Sequence, residues 1–77
     1  MAKSRTDELV AAFLRANDRD AYCPACLALC VGLSGRDAEE AMTRLGREAE
    51  FIIERGRCAR CNKTENVIRL LRRARPV

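Results

Sequence analysis

The amino-acid sequence predicts an α+β domain in which three helices precede a β-hairpin. Two observations lead to this prediction. Three stretches carry apolar residues at helical spacing, and two later runs are rich in β-branched residues. At 77 residues the chain has room for one hydrophobic core, so we expect a single domain over residues 1–77. Residues 1–3 and 72–77 are expected to be frayed.

The first helix is predicted from Ser4 to Asn17. Ser4 followed three residues later by Asp7 resembles a capping box, which is typical of a helix start. Four apolar side chains then share one helical face: Leu9, Val10, Phe13 and Leu14. The polar run over residues 17–20 ends this pattern.

The second helix is predicted to open at Cys23-Pro-Ala-Cys26. Proline suits the first helical turn, where its missing N–H needs no partner. Gly32 favours the left-handed conformation that ends a helix. The residues between are apolar on most sides, so we expect this helix to be buried: Leu27, Leu29, Cys30, Val31 and, just beyond, Leu33.

The third helix is predicted to begin after Ser34, with Asp37 three residues on, and to run to about Glu48. Its apolar stripe comprises Ala38, Ala41, Met42, Leu45 and Ala49. The β-branched and aromatic run over residues 51–53 predicts one strand, and residues 67–71 predict a second. Gly56 and a second cysteine pair lie between them, at or near the hairpin tip.

Two CxxC pairs, Cys23 with Cys26 and Cys58 with Cys61, are the strongest functional signal. Four thiolates in two chelating pairs are a ligand set that suits tetrahedral Zn²⁺. The second pair is similar to a zinc-ribbon knuckle, in which a residue that tolerates the left-handed conformation follows the second cysteine, here Asn62. We therefore expect one structural zinc held by all four, although four thiolates also suit iron.

The sequence also allows other roles for the cysteines. The first pair at a helix start also fits a redox dithiol, and an oxidising compartment would allow two disulfides. Cys30 lies four residues after Cys26 and could approach the metal, but we expect it to be a small buried hydrophobe. The polar N-terminus and the lack of a long apolar run predict a cytoplasmic protein with no membrane partner.

Residues 28–45 resemble the helix-turn-helix of bacterial winged helix-turn-helix regulators. Gly32, Leu33 and Ser34 match the turn of that family, and the apolar stripe of the third helix matches its recognition helix. The resemblance implies a winged helix with the hairpin as the wing, a function in DNA-binding transcription regulation, and double-stranded DNA as the partner. By the same resemblance, six basic residues would contact DNA: Arg36, Arg44, Arg47, Arg57, Arg60 and Lys63.

Charge distribution supports two classes of function. Residues 55–77 carry a net charge of +7, whereas residues 1–54 carry −3, so the C-terminal third is the candidate surface for an anionic partner. Three carboxylates near the start of the third helix, Asp37, Glu39 and Glu40, favour instead a protein-interaction module on the same scaffold, which would use this acidic helix or the basic tail against a partner. No histidine is present and four thiolates close the metal site, so we expect neither an enzyme nor a small-molecule substrate.

Overall fold

The computed structural model describes residues 5–71, which form three helices followed by an antiparallel hairpin. The elements are α1 (Arg5–Ala16), α2 (Pro24–Val31), α3 (Gly35–Leu45), β1 (Phe51–Arg57) and β2 (Thr64–Leu70). This order confirms the predicted α+β class. The Ser4 cap and the tails expected to fray lie outside the described residues. Within residues 5–71, no helix is long and apolar enough to cross a membrane.

The turn between α2 and α3 is set by two local signals, both of which were predicted. Gly32 ends α2 in the left-handed conformation, with φ of 80°, and donates its N–H to the carbonyl of Ala28. Two residues later, the Ser34 hydroxyl accepts a hydrogen bond of 3.1 Å from the N–H of Asp37. These caps fix where α3 begins.

The end of α3 differs from the prediction. The helix stops at Leu45 rather than near Glu48, and Ala49 lies outside it and is exposed. Gly46 follows the last turn and lies against the side chain of Ile53, where a Cβ atom would collide. The helix therefore ends at a close contact between Gly46 and β1, and residues 46–50 lead from there into the hairpin.

The core lies where α3 packs against α1 and α2, with the hairpin covering one side. Its largest fully buried aliphatic side chains come from all of these elements except β1: Val10, Leu14, Leu27, Leu45, Val67 and Ile68. The expectation that α2 is buried on most sides was wrong. Leu29 is 71% exposed and Cys30 is also exposed, because burial in this short helix is confined to residues 26–28.

The hairpin is longer than the sequence predicted. Phe51 pairs with Leu70 at its base and Arg57 pairs with Thr64 at its far end, so the ladder reaches the second cysteine pair. Tyr22 adds an isolated bridge on the other edge of β2. It exchanges backbone hydrogen bonds of 3.1 and 3.0 Å with Ile68. This bridge ties the loop before α2 to the hairpin and thereby positions Cys23.

Candidate metal centre

The four cysteines of the two CxxC pairs converge on one point. The sulfur atoms of Cys23, Cys26, Cys58 and Cys61 all lie within 4.8 Å of one another, and Cys23 Sγ is 3.8 Å from Cys61 Sγ. A regular tetrahedron of metal–sulfur bonds of about 2.3 Å has edges of about 3.8 Å. The four sulfurs are therefore close enough to hold one metal ion, with contraction of less than about 1 Å along the longer edges.

The first pair is placed by the start of α2. Cys23 is the residue before the helix, with extended φ and ψ of −80° and 162°, and Pro24 occupies the first turn. The Cys23 side chain makes no capping hydrogen bond, and the Cys23 sulfur lies next to that of Cys61 instead. One helical turn then brings Cys26 to the same side, which explains why two intervening residues suffice.

The second pair is placed by a tight turn at the hairpin tip. Cys58 donates its N–H to the carbonyl of Lys63 at 3.0 Å, and Asn62 donates to the carbonyl of Cys58 at 2.9 Å. Asn62 has φ of 64° and is the only non-glycine residue with positive φ among residues 5–71. This confirms the conformation predicted from its place after the second cysteine.

Backbone contacts join the two pairs directly. Ala59 donates its N–H to the carbonyl of Ala21 at 2.8 Å, and Cys23 donates its N–H to Cys58 Sγ at 3.4 Å. The cysteines therefore connect α2 to the hairpin tip, as the spacing predicted. Neither two local disulfides nor a single redox dithiol requires all four sulfurs to meet, whereas a shared metal does.

Burial is uneven across the cysteines. Cys23, Cys26 and Cys58 are buried, whereas Cys61 is exposed and forms the solvent side of the cluster. The expectation that Cys30 is buried was wrong, and it lies outside the cluster as well. Its position in the last turn of α2, beyond the buried part of that helix, accounts for both outcomes.

The thiols differ in how readily they ionise. Burial raises the pKa of Cys58, but backbone N–H groups of Cys61, Cys23 and Arg60 outweigh it, with help from the Cys26 thiol, and the pKa falls to about 6. Burial raises the pKa of Cys23 to about 12, and the neighbouring thiols add to this. Burial also raises the pKa of Cys26. Of these three thiols Cys58 therefore ionises most readily, and ionisation of Cys23 and Cys26 calls for a bound cation.

The basic residues predicted to bind nucleic acid fall into two groups. On the hairpin, Arg57, Arg60 and Lys63 are exposed, and no ion pair engages them within residues 5–71. Arg55 belongs with this group, since it is likewise exposed and unpaired and lies two residues before Arg57 on the same face of β1. The sequence analysis missed it, although alternation along a strand was the available signal.

The basic residues on or near α3 are less available to a partner than those of the hairpin. Arg44 donates three hydrogen bonds of 2.8–3.0 Å to the carboxylate of Asp7, a buried residue of α1. Asp7 was considered only as a capping residue, so sequence reasoning missed this contact between α1 and α3. Arg36 forms an exposed pair with Glu40 at 3.5 Å, and Arg47 lies beyond the end of α3 and is exposed.

Fold and site together define a small α+β protein with a four-cysteine cluster capable of holding one metal ion. Comparisons of the chain with protein-family models, curated proteins and solved structures give no match. The resemblance to winged-helix regulators and the DNA role of the six basic residues therefore stay predictions.

Proposed function

We propose that this chain is a small zinc-binding winged-helix protein that binds double-stranded DNA, as a transcriptional regulator or accessory factor. The observation that carries the proposal is the hairpin tip, hereafter the basic tip: Arg55, Arg57, Arg60 and Lys63. These four side chains are exposed and unpaired within residues 5–71, and no carboxylate interrupts residues 55–63.

Zinc is the proposed metal because four cysteine sulfurs are its preferred structural ligand set, and these four lie within 4.8 Å of one another. With all four positions filled by protein, the ion has no open position for water or substrate. We therefore assign it a structural role and propose no enzymatic activity. Metal analysis of the purified protein tests this, and iron in place of zinc would change the metal while leaving the ligand assignment in place.

Winged-helix architecture is supported by the arrangement of the elements. The short turn at residues 32–34 joins α2 to α3, and the hairpin follows directly after α3. The metal centre then fixes the hairpin tip to the start of α2 through Cys58 and Cys23. A wing held in this way presents its cations on a rigid surface rather than on a mobile loop.

DNA binding by the basic tip would be electrostatic. Lysine and arginine contacts to phosphate position a protein on the duplex and do not depend on base sequence. In α3, the exposed carboxylates of Asp37, Glu39 and Glu40 oppose deep insertion of the helix beside phosphates. We therefore propose that the hairpin supplies the main contact and that α3 contributes little base recognition.

A salt titration tests the DNA proposal. Arg57→Gln and Arg60→Gln should each weaken binding to duplex DNA and reduce the slope of log K against log salt by about 0.9 for each lost phosphate contact. Arg5→Gln is the matched control, since Arg5 is an exposed arginine at the start of α1 and is not part of the basic tip. Absence of binding at low salt, or equal weakening by the control, would contradict the proposal.

A second candidate function, a protein-interaction module on the same scaffold, is favoured by α3. Three arginines lie on this helix or just after it, and two of them already pair with carboxylates: Arg44 with Asp7 and Arg36 with Glu40. What remains exposed on this helix is predominantly acidic, which suits a basic polypeptide better than a phosphate backbone.

A further inference from the structure

A groove runs between α3 and the hairpin and ends at the start of α2. Its volume is about 250 Å³, and its lining mixes apolar and polar side chains: Pro24, Glu39, Met42, Thr43, Ile53 and Asn66. Sites for drug-sized molecules span about 300–1,000 Å³ and are largely enclosed. The size of this open groove therefore suits one long side chain of a partner.

The groove continues along the outer face of α3. A shallower depression shares Glu39 and Thr43 with it and extends past Glu40 and Arg44. Together the two depressions form a trough, hereafter the α3 trough. A polypeptide lying in it could place one side chain in the groove while neighbouring residues follow the helix.

Charge in the α3 trough is negative at the point that both depressions share. Glu39 is exposed and has no ion-pair partner within residues 5–71. The one guanidinium lining the trough, that of Arg44, is bound to the Asp7 carboxylate and so is largely neutralised. Glu40 adds a second carboxylate, which only an exposed and long pair with Arg36 offsets.

We propose that the α3 trough docks an arginine- or lysine-bearing segment of a partner protein. The aliphatic stem of the basic residue would pack on Ile53, which is 38% exposed, beside the small exposed part of the otherwise buried Met42, while its charged head reaches the Glu39 carboxylate. This inference rests on the protein-interaction candidate above. It uses no residue of the basic tip, so it stands or falls separately from DNA binding.

Titration of the zinc-loaded full chain with a short peptide, arginine alternating with glycine, tests the proposal. Amide resonances in two-dimensional NMR should shift at Glu39, Thr43, Ile53 and Asn66. Glu39→Gln should weaken binding about fivefold, the upper range for an exposed ion pair. Glu8→Gln is the matched control, because Glu8 is an exposed carboxylate on α1, outside the trough.

A second variant, Ile53→Thr, removes apolar surface from the groove while keeping a β-branched residue in β1, and it too should weaken the peptide complex. Three results would overturn the proposal. The peptide at millimolar concentration shifts no amide resonance of the trough, or the peptide binds Glu39→Gln as tightly as it binds Glu8→Gln. Alternatively, duplex DNA shifts the trough resonances and binds more tightly to Glu39→Gln, which would make this face a nucleic-acid surface.

Loss of DNA binding in Arg57→Gln with unchanged peptide binding would leave the trough proposal intact. Peptide binding weakened about fivefold in Glu39→Gln, with unchanged DNA binding, would support the trough proposal and would not test the basic tip. The two probes and the two sets of variants therefore report on the two surfaces independently.

Discussion

Replacement of Cys61 by serine should separate metal binding from core packing. Cys61 is the exposed member of the cluster, so its loss creates no cavity in the hydrophobic core. Any stability that is lost therefore reports on metal ligation. Cys30→Ser is the matched control, because Cys30 is also an exposed cysteine but lies outside the cluster.

The expected magnitude follows from the number of ligands. A structural Zn²⁺ site at neutral pH contributes about 10–16 kcal/mol to folding, so one ligand of four corresponds to about 3 kcal/mol. Since each factor of ten corresponds to about 1.4 kcal/mol, Cys61→Ser should weaken zinc binding about a hundredfold. Complete removal of the metal should unfold the domain, because the whole stability of such a protein is about 5–15 kcal/mol.

Chelator competition and thermal denaturation provide the assay. Wild type and Cys30→Ser should retain about one zinc per chain against a chelator concentration that strips Cys61→Ser. Circular dichroism should show that excess chelator abolishes cooperative melting of the wild type. The melting midpoint of Cys61→Ser should rise when zinc is added in excess, because binding to the folded state stabilises it by mass action.

Equal zinc retention in Cys61→Ser and Cys30→Ser would show that Cys61 is not a ligand. A wild-type protein that melts at the same temperature with and without chelator would refute the structural role of the metal altogether. Stoichiometric iron in place of zinc would revise the metal and leave the ligand assignment intact.

Three further predictions concern pH and packing. Acidification should release the metal, because protons compete with it for the thiolates. Backbone N–H groups hold the pKa of Cys58 at about 6, below the usual 9.0. The stability from its ionised form is therefore fully present above about pH 9 and is lost as the pH falls through about 6, and zinc release on acidification should accompany that loss. Asp7→Asn should lower the thermal midpoint because it weakens the half-buried ion pair with Arg44 of α3, whereas Glu8→Gln, one residue on and exposed, should not. Leu27→Ala should cost about 2–5 kcal/mol in urea denaturation, whereas Leu29→Ala, at a side chain 71% exposed, should stay within about 0.5 kcal/mol of wild type.

Features set by local chemistry were predicted well from the sequence. The caps at Gly32 and Ser34 depend on residues within one helical turn, and both formed as expected. The left-handed Asn62 depends only on the turn that holds its cysteine pair. The convergence of the four cysteines was predictable for a different reason, since one tetrahedral ion needs all of them at one point.

Features set by packing were not predictable. In α2 every side chain is apolar or small, so the sequence contains no polar face to show that Leu29 and Cys30 point outward. The pairing of Asp7 with Arg44 joins residues 37 positions apart and depends on how α1 crosses α3. That contact also decides which arginines are available to a partner, which is why the predicted contact residues on α3 were harder to judge than those on the hairpin.

The metal centre bears on both proposed surfaces through geometry rather than through charge. Arg60 lies between two ligands at the hairpin tip, and Pro24, which lines the α3 trough, directly follows a third. Zinc with four thiolates carries a net charge of about −2, so its charge alone makes the basic tip less attractive to phosphate. Any gain in DNA affinity on zinc binding must therefore come from fixing the turn that holds Arg60, which lowers the conformational entropy lost when its guanidinium binds. The same attachment holds the start of α2 against the hairpin and so fixes the position of Pro24 at that end of the trough.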